Sequence, residues 1–167
     1  MPTPAPAKQR VQLLLGLSTL VCASYVSAFD VQGYSPGMPI PPQVERECIK
    51  VSNVDSGVPG YRCNSTLGGE PAVLKIAVFQ GKVAGVIFIL ESQHMGSMLK
   101  MFREKYGSPT QPNPHNPDYH WSKGQMFLFI KQLHTPTGRR GGYRVWGYTV
   151  VLVDSDLFDK ASKANTK

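Results

Sequence analysis

The most regular pattern of apolar and polar positions lies in the middle of the chain. Residues 72–79 (AVLKIAVF) and 83–90 (VAGVIFIL) are apolar runs rich in β-branched residues on either side of Gly81, which predicts a hairpin. The second run is apolar on both faces and predicts a central strand. Met95, Met98, Leu99, Phe102 and Tyr106 then repeat at helical spacing, with Ser92 placed to cap the helix and Gly107 and Pro109 placed to end it. Such a stripe is what packs a helix onto the preceding sheet. Two more strands follow. Residues 125–133 set Met126, Leu128 and Ile130 to one side, and residues 143–154 set Val145, Thr149, Val151 and Val153 to one side.

Upstream, Pro41 and Pro42 suit a first helical turn, and a short helix is expected over 42–51 with Val44, Cys48 and Val51 on one face. Residues 52–71 (SNVDSGVPGYRCNSTLGGEP) read as a turn-rich connector. From Lys160 the tail (KASKANTK) reads as lacking apolar residues and is expected to fray. The order α-β-β-α-β-β predicts an α+β domain over 29–159. Its antiparallel sheet has about four strands, with one or two helices packed on one face.

The N-terminus changes the compartment expected. Lys8 and Arg10 precede residues 11–23 (VQLLLGLSTLVCA), an uncharged apolar stretch, and Val26-Ser27-Ala28 supplies the small residues of a cleavage site. Residues 1–28 therefore read as a signal peptide. The apolar stretch would reach about 20 Å as a helix, short of a bilayer core of roughly 30 Å, so no transmembrane segment is expected after cleavage. Cys22 follows Val21, where a lipidation site prefers a small residue. Removing Lys8 and Arg10 lowers the formal charge from +7 to +5, a mildly basic balance that favours anionic partners. Of three cysteines, Cys48 and Cys63 remain. An even pair in an exported chain reads as one disulfide, with two buried thiols as the alternative.

Two patches carry a family resemblance. "FDVQGYSPGM", residues 29–38, resembles an FDxxGxxxGM opening, and "MFREKYGSPT…HW", from Met101 to Trp121, resembles a helix–KYGxP–loop–Trp segment. Together they look like small exported bacterial α+β proteins, similar in outline to BamE-like outer-membrane assembly lipoproteins and β-lactamase-inhibitor proteins. The resemblance implies binding, scaffolding or inhibition, and carries over no catalytic residue. The chain departs from the pattern at Pro39, Ile40, Pro41 and Pro42, where such proteins begin a helix with Ser or Thr and acids.

Candidate chemistry is sparse. In "QPNPHNPDYHW", residues 111–121, His115, Asp118 and His120 could offer metal ligands or an acid–base pair. The two histidines are five residues apart with Pro117 between them, so no helix gives their rings a common direction, and no second His/Cys cluster supports them. No metal or other cofactor is expected. The prolines instead describe a stiffened loop, with Asn113–Tyr119, including His115, Asp118 and Tyr119, available for contact and Trp121 anchoring the strand beyond it. A second candidate is "GRRGGYRVW", where Arg139, Arg140 and Arg144 surround Tyr143. Behind a signal peptide this fits an anionic envelope surface or an acidic protein better than nucleic acid. Glu91 and Glu104 form a third, weaker pair, better read as surface charge.

The function expected is a non-enzymatic binding module, periplasmic or secreted, acting on another envelope protein as inhibitor, immunity partner or assembly accessory. The alternatives are a small envelope hydrolase or glycan-binding enzyme using His115, Asp118 or His120, and a structural accessory held to anionic envelope surface.

Overall fold

A computed structural model describes residues 29–91, 95–110, 118–137 and 142–165. The elements are α1 (Pro42–Glu47), β1 (Ile49–Asp55), β2 (Val58–Leu67), β3 (Glu70–Phe79), β4 (Lys82–Leu90), α2 (Met95–Tyr106), β5 (Tyr119–Lys123), β6 (Met126–Thr137), β7 (Gly142–Asp154) and α3 (Ser155–Asn165). All seven strands join one antiparallel sheet in the order β1-β2-β3-β4-β7-β6-β5. It consists of two meanders, β1–β4 and β5–β7, joined where β4 pairs with β7 from Gly85↔Val153 to Leu90↔Tyr148.

The expected four-strand α+β sheet is therefore corrected to a β-rich, seven-stranded one with three short helices. The predicted helix over 42–51 stops at Glu47, and β-branched Ile49, Val51 and Val54 begin the sheet instead. The connector over 52–71 is mostly strand. Its turns, Ser56–Gly57 and Gly68–Gly69, have positive φ at both positions, as does Gln80–Gly81, the backbone that two-residue hairpins require. Strand β5 is short and forms its ladder with β6, while the Thr110 amide donates to the His120 carbonyl at 2.8 Å. The tail expected to fray continues α3 to Asn165. Asp154 accepts a bond from the Leu157 amide at 3.0 Å, an N-terminal cap, and Ala161 is buried. Ser92 lies outside the described residues.

Two cores result. The larger collects Leu74 and Ile76 of β3, Val86, Phe88 and Leu90 of β4, Tyr148, Val150 and Leu152 of β7, and Leu128 and Ile130 of β6 beneath Met98, Leu99 and Phe102 of α2 and Val44 of α1. The smaller joins Val54, Val58, Ala77 and Ala84 to Ala161, Leu157 and Phe158 of α3. The helices thus divide between the two faces of the sheet, α1 and α2 on one and α3 on the other, rather than sharing one face.

The two patches quoted for the family resemblance meet in space. Phe29 packs edge-on against Tyr106 with ring centroids 5.0 Å apart. The Tyr106 hydroxyl donates to the Asp30 carbonyl, and Lys105 pairs with the Asp30 carboxylate at 2.8 Å. Burial alone would lower the Lys105 ammonium, but its bonds to Asp30 and Tyr106 outweigh that and hold it above the usual lysine value. From there a strap runs to β4, where the Gly37 amide donates to Val83 at 2.8 Å and the Val83 amide donates to Met38 at 2.9 Å.

Cys48 and Cys63 form a disulfide with Cα atoms 4.7 Å apart, tying the end of α1 to β2. Closing a loop with a sequence separation of 15 stabilises a fold by about 3 kcal/mol in the chain-entropy model. Cys63→Ala together with Cys48→Ala should lower the unfolding free energy by about that amount. Urea midpoints of wild type with and without reductant, set beside the double variant, check it; coincident midpoints for all three samples would refute a stabilising bridge.

Candidate functional site: the open face of the sheet

Strand alternation sends every second residue to the face where α3 sits, and the register aligns those residues in rows across the strands. The first row is Val51, Gly60, Ala77, Gly85, Val153, Phe127 and Ser122. Its small members let α3 lie close across β2, β3 and β4, with Ser162 and Asn165 bonded to the carbonyls of Ser56 and Gly57 at the far end. The second row is Ile49, Arg62, Lys75, Ile87, Val151, Phe129 and His120. The third is Asn64, Val73, Ile89, Thr149 and Lys131.

The second and third rows are apolar at their centre. Val73, Ile87, Ile89, Phe129 and Val151 are half-buried and belong to neither core. Among the described residues no helix lies over them, because α1 and α2 serve the opposite face and α3 stops at the first row. Phe129 stacks on Phe127 (5.9 Å between centroids, 10° between planes) and meets the His120 ring at 6.1 Å. At the edge of the second row Ile49 is 71% exposed. Contiguous apolar surface with aromatic members marks contact sites. No known family pattern, curated protein or solved structure matches the chain.

The residues singled out from sequence fall in different places. Asp118 and His120 lie on the open side, Asp118 4.0 Å from Lys131 and His120 against Phe129. Tyr119 turns the other way, toward α2, where Arg103 sits 5.9 Å from its ring centre. Arg144 is exposed near the far end of β7, paired in register with Thr135. Val145, expected beside Thr149 and Val151, packs instead against the larger core, because the register shifts at Leu133/His134. His115, Arg139 and Arg140 lie outside the described residues; Tyr143 contributes its backbone to β7, and its side chain lies outside them too. Glu104 sits 3.8 Å from Lys100 on the exposed side of α2.

Other hollows flank the fold. A cavity of about 130 Å3 opens beside α2, lined by Leu67, Leu90, Met98, Met101 and Tyr148. A polar groove runs past the disulfide by Tyr34, whose phenol is pushed up by burial and then by the charge of Glu47. A phenol held protonated is a poor base at neutral pH. Among the described residues no group of three or more His, Cys, Asp and Glu could hold a metal ion. No helix among them is long and apolar enough to cross a membrane.

The residues that composition did not single out are Phe127, Phe129, Ile87, Ile89 and Val151. Their signal was present. Residues 83–90 and 126–130 are apolar on both faces, and such strands need cover on both sides.

Proposed function

We propose that this chain is an exported, non-enzymatic binding module that contacts another protein of the bacterial envelope through the open face of its sheet. The observation that carries the reading is the apolar centre of that face, Val73, Ile87, Ile89, Phe129 and Val151, which joins neither core. Export is supported by the leader-like residues 1–28 and by the Cys48–Cys63 disulfide, a bond that persists in oxidising compartments. The periplasm, or secretion beyond it, is the compartment that fits both. Within this reading Asp118 and His120 belong to the rim of the contact surface, and Arg144 to its far end.

The hydrolase alternative draws no support from the described part of the loop. Asp118 lies 4.0 Å from Lys131, and His120 lies against Phe129.

Photo-crosslinking residues introduced at Ile87 and Phe129, with one at Lys100 on the exposed side of α2 as reference, test the reading in the native envelope. Adducts with a single protein are expected from positions 87 and 129 and not from position 100. Adducts confined to position 100, or none from the open face, would overturn it.

A further inference from the structure

The spacing of the open rows limits what can lie on them. Helix α3 has 11 residues, so it is about 16 Å long, and it crosses the strands from β7 to the turn after β1. Successive rows on one face are about 7 Å apart along the strands. The midline between the second and third rows is therefore about 10 Å from the row beneath α3, which is the separation of two packed helices. From β6 to β3 the floor crosses four strands, about 14 Å, or the length of three helical turns. α3 already shows that this face accepts a helix running across the strands, and it leaves room for one more beside it.

Charge then chooses the partner. Arg62 and Lys75 stand together on the second row and Lys131 on the third. Lys131 has Asp118 at 4.0 Å, and Lys75 donates to the Val54 carbonyl at 3.3 Å. Among the described residues neither Arg62 nor Lys75 has a carboxylate within 4.0 Å. Of the acids at this face, Asp118 stands by Lys131 at the β5 side and Glu91 lies beyond the end of β4, both away from Arg62 and Lys75 on β2 and β3. The chain is basic as well, at +7 in full and +5 without residues 1–28. A second copy would set like charges against each other, and a basic segment would meet the same repulsion.

We infer that the open face receives one amphipathic helix of a partner protein, laid beside α3, with its apolar stripe on Phe129, Val151, Ile87, Ile89 and Val73 and acidic residues opposite Arg62 and Lys75. This rests on the protein-binding reading above and specifies the partner's contact element. Apolar burial supplies the affinity, while the cations set orientation and favour acidic sequences over basic ones.

The probe is a hydrocarbon-stapled helical peptide of three to four turns with a Leu/Ile stripe and Glu flanks. It is compared by calorimetry with a Lys-flanked version and with a scrambled one of the same composition. The Glu-flanked peptide should bind about tenfold tighter than the Lys-flanked one, and amide shifts should concentrate at Val73, Ile87, Ile89, Phe129 and Val151. Arg62→Glu, at an exposed position, should weaken the Glu-flanked peptide and strengthen the Lys-flanked one; Lys75→Gln should weaken the first alone. Equal binding of the scrambled peptide, or shifts confined to the cavity beside α2 or to the free edge of β1, would overturn the inference. So would binding to phosphatidylglycerol vesicles that Arg62→Glu abolishes while the peptides fail to bind. Crosslinks from positions 87 and 129 to a partner segment that is not helical would defeat this inference and leave the protein-binding reading standing. Absence of open-face crosslinks would defeat both.

Discussion

Trp121→Ala is expected to lower the unfolding free energy by about 3–5 kcal/mol, in the range for truncating a buried tryptophan. Trp121 is only 2% exposed although it stands on β5, a five-residue edge strand. Its ring packs toward Phe102 of α2 at 6.1 Å and, with Tyr119 beside Arg103, fastens this short strand to that helix. Its indole N–H donates to the Gly107 carbonyl at 2.8 Å, satisfying a carbonyl just past the end of that helix. Trp121→Phe separates the two roles. It keeps most of the buried ring and loses the hydrogen bond, for an expected change of about 1 kcal/mol since water can reach Gly107. Urea unfolding of both variants makes the comparison, and an alanine variant within about 1 kcal/mol of wild type would show that β5 is held by other means.

The second large effect is expected at Gly60. A Cβ built there would collide with the Ile76 carbonyl oxygen, lie 2.9 Å from its carbon and press on Val54 Cγ1 at 3.1 Å. The obstruction is main chain of the neighbouring strand, which cannot swing away as a side chain would. Gly60→Ala must displace β2 from β3 in the row on which α3 rests. A loss of about 3 kcal/mol or more is expected, at the upper end of overpacking effects, with a broadened transition if α3 detaches first. Gly96→Ala supplies the contrast. That glycine lies within α2 with nothing within 4 Å of its added Cβ, and the change should raise stability by about 0.5–1 kcal/mol. If the two alanines had similar effects, the close approach at Gly60 would be refuted.

How much of this was legible in the sequence depends on how strongly each element contrasts its two faces. Strands β3, β4, β6 and β7 and helix α2 announce themselves because their apolar positions recur at strand or helix spacing. Strand β2 does not. Its inward positions are Tyr61, Cys63, Ser65 and Leu67 and its outward ones Arg62, Asn64 and Thr66, so only part of the alternation is apolar. The glycines of its turns were visible, but without apolar strands on both sides they read as loop. Helix α3 was hidden by the small size of its anchor. Ala161 suffices because Ala77 and Ala84 lie opposite it, and a pattern search weighted to large side chains passes over such a contact.

The candidate site was obscured for a different reason. The loop at 111–121 and the arginines at 139–144 drew notice through unusual composition, while Ile87, Ile89, Phe129 and Val151 are ordinary strand residues. They stand out only when strand faces are counted against the helices available to cover them. That count needs the number of strands, which the polar β2 and the brief β5 conceal.

The seam between the two meanders also sets the order in which the chain can complete itself. Gly85 must find Val153, its partner far along the chain, and pairings of that separation form late because the intervening loop must close first. Until residues 142–154 arrive, β4 is an unprotected sheet edge, and it is the most apolar strand of the first meander. During synthesis from the N-terminus, that edge is exposed before its natural cover exists. Unpaired edges of this kind recruit other chains. A chain truncated before β7 is therefore expected to aggregate through β4.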